Sequence, residues 1–123
     1  RSRRTEGDEK EMIILPIRPK YFYQIRTGKK KDDCRDCKAY YISKFKRVYK
    51  INISESGEMT NDKGEKIILT APKWLGLKNG YATNDPVIYV FATLRTETVN
   101  EVTKFVLDIQ KVTDIKPNWR ADE

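Results

Sequence analysis

The chain has 123 residues, a net charge of +7, 38% apolar and 35% charged residues, two cysteines and no histidine. That length holds one domain with one core, and no apolar run reaches the roughly 18 residues that suggest a membrane span. Without histidine there is no Ser-His-Asp or Cys-His arrangement and no imidazole ligand for zinc, so acid-base chemistry would fall to Lys, Asp, Glu, Tyr or Cys.

Residues 1–11, RSRRTEGDEKE, balance four basic against four acidic groups and lack the apolar region of a secretory signal. They read as a flexible tail or an expression remnant, with Met12 a candidate native start and 12–123 a single domain. Residues 12–17, MIILPI, predict a buried strand whose Pro16 marks a sheet edge or the strand's end. Pro19 suits the first position of a short helix with Tyr21, Phe22 and Ile25 on one face. Gly28 suits the left-handed residue after it.

From residue 16 to 50 there are twelve basic groups against Asp32, Asp33 and Asp36, an excess of nine, whereas residues 51–123 carry nine basic and eleven acidic groups. Basic charge gathered in one third of the chain is what phosphate-backbone binding needs; a solvated lysine-rich face is the competing reading. Residues 32–37 predict a strand with Asp33, Arg35 and Cys37 on one face and Asp32, Cys34 and Asp36 on the other. In 45–53, Phe45, Tyr49, Ile51 and Ile53 alternate with Lys46, Lys50 and Asn52 as in a strand. SESGEMTNDKGE is a hairpin-type loop, KIILT at 66–70 another strand, and 71–86 a long irregular connection carrying Trp74 and Tyr81. Residues 87–94, VIYVFATL, form a buried strand. From Val99 to Val112 the pattern fits a strand with Phe105, Leu107 and Ile109 inward, or a helix aligning Val99, Val102, Val106 and Ile109. β-branched content favours the strand.

The cysteines of Cys34-Arg35-Asp36-Cys37 fall short of a four-ligand zinc site. On a strand they lack the helix N-terminus that activates a thioredoxin-like pair. They read as free thiols, one of them buried, in a cytoplasmic setting, and no cofactor is expected.

The ordered set Arg18-Pro19, Gly28, Lys30, Asp33 and Arg35 resembles the opening of the ASCH domain, a branch of the PUA-like fold, whose pattern is an apolar strand, a Lys-Pro helix start and Gly-x-Lys-x-x-Glu-x-Arg. The VIYVFAT strand and the Pro117-Asn118-Trp119 tail are similar to later family elements, which supports a strand at 99–112. The resemblance implies an α+β fold, a PUA-like partly closed mixed β-barrel with one or two short helices. It also implies nucleic-acid or nucleotide binding. Arg18, Lys29, Lys30, Lys31 and Arg35 are then candidate contacts to RNA or another single-stranded nucleic acid, with Asp33 holding Arg35. Trp74 is the preferred base-stacking ring. A local salt-bridge network is the alternative for these charges. Some small ASCH proteins deacylate N4-acetylcytidine with a lysine, a threonine and a glutamate. The corresponding positions here are Lys30, Lys31 and, on the VLDI segment, Asp108. Lys31 lacks the hydroxyl nucleophile, so a noncatalytic binding domain is the leading expectation and an amidohydrolase using Lys30 and Asp108 the second. A module whose basic face docks an acidic protein partner is the third.

Overall fold

Alternation of buried and exposed side chains sets the first strand, β1 (Ile14–Ile17), in which Leu15 and Ile17 turn inward and Ile14 outward. A computed structural model describes residues 12–82 and 84–117. The expectations placed on residues 1–11 and on Asn118-Trp119 lie outside the described residues. Helix α1 (Pro19–Arg26) follows, with proline in its first turn and Phe22 and Ile25 buried. It stops at Gly28, whose φ of +83° puts it in the left-handed region that favours glycine. β2 (Asp32–Asp36), α2 (Ala39–Tyr49), β3 (Asn52–Ile53), β4 (Met59–Thr60), β5 (Lys73–Asn79), β6 (Val87–Val99) and β7 (Val102–Thr113) complete the order.

The result is α+β: a mixed five-stranded sheet, β1-β5-β6-β7-β2, and a small β3-β4 sheet. β1 runs parallel to β5; the other pairings of the large sheet are antiparallel. Both helices bury side chains in one core cluster with Leu75, Leu77, Val90 and Leu107. Burial of these groups, at about 25 cal/mol per Å² of apolar surface, holds helices to sheet. Among the described residues the large sheet is not closed by backbone pairing. Its two edge strands nevertheless come within one side chain of each other, because Arg35 Nη1 on β2 donates to the Pro16 carbonyl of β1 at 2.8 Å. Pro16, expected at an edge, is on one.

Three expectations are corrected. Residues 45–49 are not strand but the last turns of α2, which ends at Lys50 with φ 57° and ψ 48°. The four-residue spacing of Phe45 and Tyr49 fits a helical face as well as a strand, and Tyr41, a turn earlier, stacks on Phe45 at 6.1 Å. KIILT is not a strand: Lys66 makes one bridge to Thr60, Ile68 and Leu69 are exposed, and Thr70 exchanges hydrogen bonds with Leu94. The connection 71–86 is not loop throughout, since β5 sits in the sheet between β1 and β6. Its Gly76 belongs to a strand, because a Cβ there would lie 2.9 Å from Ile14 Cγ1. The segment 99–112 is strand from Val102 onward, joined to β6 by a tight turn at Asn100 and Glu101.

That turn places both residues at positive φ, 52° and 66°. Such a turn favours Asn-Gly, and a left-handed non-glycine residue costs roughly 1–2 kcal/mol. Glu101→Gly is therefore expected to stabilise the domain by up to about 1 kcal/mol after the added freedom of the unfolded chain is subtracted. The check is a higher urea midpoint at unchanged slope.

Candidate nucleic-acid interface

Successive side chains of the β2 sequence DDCRD point to opposite faces, so one face of this edge strand receives an acid and a base and the other two acids and a thiol. Asp33 and Arg35 point to the core side, opposite Leu107 and Phe105; Asp32, Cys34 and Asp36 point to the other, opposite Asp108, Val106 and Lys104. Asp33 is 5% and Arg35 8% exposed. Arg35 Nε and Nη2 both donate to Asp33 Oδ2, at 3.0 and 2.8 Å, while Nη1 donates to Pro16 O and to the Tyr41 hydroxyl at 3.1 Å. Almost all the guanidinium donors are thus engaged. Burial pushes the Asp33 carboxyl up, and Arg35 pulls it part of the way back.

This ion pair belongs to the wall of a cleft of about 260 Å³ at the seam between the sheet's two edges. Arg18 and Tyr21 enter from the start of α1, Lys38 and Tyr41 from the start of α2, and Tyr81 from the turn after β5. The N-cap positions of both helices are cations, Arg18 and Lys38, with no side-chain cap and no acid in either first turn. Ser, Thr, Asp or Asn is preferred there, and cations oppose the helix dipole. Two positive helix ends and two cations therefore line one concavity. Its acids are already paired: Asp33 with Arg35, and Asp36 with Lys104 at 3.5 Å. Among the described residues, neither Arg18 nor Lys38 has a carboxylate partner within salt-bridge distance. Lys38 lies 5.6 Å from the centre of the Tyr41 ring.

Of the residues expected at a site, Arg18, Asp33 and Arg35 are brought together in this cleft. Lys30 stands beside it, 5.4 Å over the Tyr21 ring and 3.0 Å from Asp32 Oδ1. Burial acts to lower the Lys30 pKa, but Asp32 overrides it and holds the ammonium above its ordinary value. Lys29 and Lys31 are exposed on the turn before β2, and the Lys31 carbonyl accepts the Ile109 N–H. Trp74 is not in a loop and not at the cleft; it lies on β5, on the far face of the sheet, 5.1 Å from Phe91. Asp108 is also on that far face, where Arg95 Nε holds it at 2.7 Å. Lys30 and Asp108 each have a different partner.

Lys38 and Tyr41 are not among the site residues expected from the sequence, and Tyr81 is marked there only as part of the long connection 71–86. Lys38 would have been visible only through recognition of α2, whose start carries no capping residue. Both cysteines are free, Cys34 exposed and Cys37 half-buried rather than fully buried. Burial pushes both thiols up, with Asp32 adding to the effect at Cys34. Among the described residues no cluster of Cys, Asp and Glu is arranged to hold a metal ion, and no helix is long and apolar enough to cross a membrane. No protein-family model, curated protein or solved structure matches the chain.

Proposed function

We propose that this domain binds single-stranded nucleic acid, RNA in preference, in the seam cleft and without catalysis. The observation that carries the reading is the convergence of Arg18 and Lys38, which have no carboxylate partner among the described residues and stand at two helix N-termini, with three tyrosines, Tyr21, Tyr41 and Tyr81, in one cleft. Cations and helix N-termini attract phosphate, and tyrosine rings offer faces for bases. Tyr81 is 88% exposed and takes the stacking role that Trp74 was expected to fill. Arg35 does not reach phosphate in this reading. It fixes the cleft wall with Asp33, and Lys29 and Lys31 extend the basic surface. Typical ligand pockets run from about 300 Å³ upward, so this smaller cleft suits one unit or one end of a strand.

The sheet whose edges Arg35 spans supports a partly closed PUA-like barrel, and with it the ASCH kinship. The deacylase reading loses ground, since Lys30 and Asp108 are tied to separate counter-ions.

Fluorescence anisotropy with labelled single-stranded RNA, single-stranded DNA and duplex at two salt concentrations tests the proposal. Arg18→Glu/Lys38→Glu is expected to weaken single-strand binding at least about tenfold. It should also flatten the salt dependence by about 0.7 of a logarithmic unit per lost phosphate contact. Unchanged affinity in a folded double variant overturns the assignment.

A further inference from the structure

The sheet's other face carries no helix among the described residues, and its side chains follow a pattern. Register pairs Trp74 with Phe91 and Phe91 with Lys111, so these three form one cross-strand row over β5, β6 and β7. The next row is Gly76, Tyr89 and Thr113; the one after pairs Lys78 with Val87. Trp74, Tyr89 and Phe91 are each half-buried. The Trp74 and Phe91 rings meet at 5.1 Å, tilted by 39°, and Lys111 Nζ sits 5.4 Å over Phe91. At Phe91/Ala92 the pairing partner jumps from Lys111 to Ile109, a bulge at the aromatic row. Bulges of this kind twist a strand and re-aim its side chains.

Charge separates this surface from an ordinary apolar docking face. Lys73–Asn79 and Val87–Ala92 contain no acid, and Lys78 and Lys111 flank the rings. The carboxylates in the adjoining row, Asp32 and Asp108, are neutralised by Lys30 and Arg95. Aromatic rings on an open sheet with cations at their margin match the chemistry of a polyanion that carries flat bases.

We propose that this face is a second binding surface for single-stranded nucleic acid, with Trp74 and Phe91 stacking on bases and Lys78 and Lys111 contacting phosphate. A base over Phe91 displaces the Lys111 ammonium toward the adjoining phosphate. The surface shares no residue with the seam cleft, so the two bind independently.

The chain has only two tryptophans, Trp74 and Trp119, so Trp119→Phe makes fluorescence a direct reporter of this face. Titrating that variant with oligo(dU) of about ten nucleotides at low salt is expected to quench Trp74 saturably, with the quench reversed by salt. Adding Lys78→Glu/Lys111→Glu should raise the concentration needed at least about tenfold. Adding Arg18→Glu/Lys38→Glu should leave the quench in place. Circular dichroism confirms that each variant is folded, and the neutral pair Lys78→Gln/Lys111→Gln replaces the charge reversal if that one is not. Absence of quenching overturns the proposal, as does a quench indifferent to Lys78 and Lys111. Loss of the quench in the cleft variant overturns it too, because Trp74 would then be reporting the cleft. Equal quenching by polyglutamate would show a surface that responds to any polyanion, protein included, and would overturn base stacking.

Discussion

Arg35→Met is expected to destabilise the domain by about 3–5 kcal/mol near neutral pH, the range for removing one partner of a buried ion pair. Both side chains are 8% exposed, and the substitution leaves Asp33 without its counter-ion and Pro16 O and the Tyr41 hydroxyl without their donor. The pH dependence has a definite sign. Burial already pushes the Asp33 carboxyl above its ordinary value of 3.8, and loss of Arg35 pushes it further. A carboxyl whose pKa is raised by folding contributes stability that is present below its unfolded value and lost as pH rises through the folded one. The Arg35→Met variant should therefore lose less relative to the native chain near about pH 4 than near neutrality. Asp33→Leu added to Arg35→Met should recover most of the loss, since apolar replacement of a buried pair is often neutral or better. Urea unfolding of the native chain, Arg35→Met, Asp33→Leu and the double variant at both pH values closes the cycle. A loss below about 1 kcal/mol in Arg35→Met would show that the pair is solvated and that it does not hold the edges of the sheet together.

The part of the molecule legible in its sequence was the part where local chemistry and tertiary structure agree. Pro19 and Gly28 bracket a helix by backbone geometry alone, and both perform that role here. The alternation of β2 placed Asp33 and Arg35 on one face because a strand has no other way to arrange them. The errors arose where two periods coincide or where a residue serves space instead of propensity. Phe45 and Tyr49, four apart, satisfy both a strand and a helix, and no glycine marks the end of α2 because Lys50 takes the left-handed position. Gly76 looked like a loop residue, yet it is there to make room for Ile14 from the neighbouring strand. The cleft was half visible for the same reason. Arg18, Asp33 and Arg35 lie on elements that were recognised. Lys38 and Tyr41 lie on a helix whose start was not seen, and Tyr81 joins them only through the path of β5.

Phe45→Ala is expected to cost about 3–5 kcal/mol, the range for truncating a buried phenylalanine. It should lower the melting temperature by roughly 10–30 °C at the scale of about 3–6 °C per kcal/mol for a domain of this size. Phe45 is fully buried, edge-on to Phe105 at 5.2 Å, stacked on Tyr41 at 6.1 Å and tilted against Tyr49 at 6.4 Å. It is the ring through which α2 meets β7, and α2 in turn presents Lys38 and Tyr41 to the cleft. Stability and binding should therefore fall together. At a temperature where Phe45→Ala is still folded, single-strand affinity should already be reduced, because a loosened α2 no longer holds both residues in place. Tyr40→Ala, on the same helix but 49% exposed, is the control and should change stability by no more than about 0.5 kcal/mol. A Phe45→Ala protein that melts within a few degrees of the native chain would mean that α2 does not dock on the sheet. The cleft formed between it and the edge strands would then fall with it.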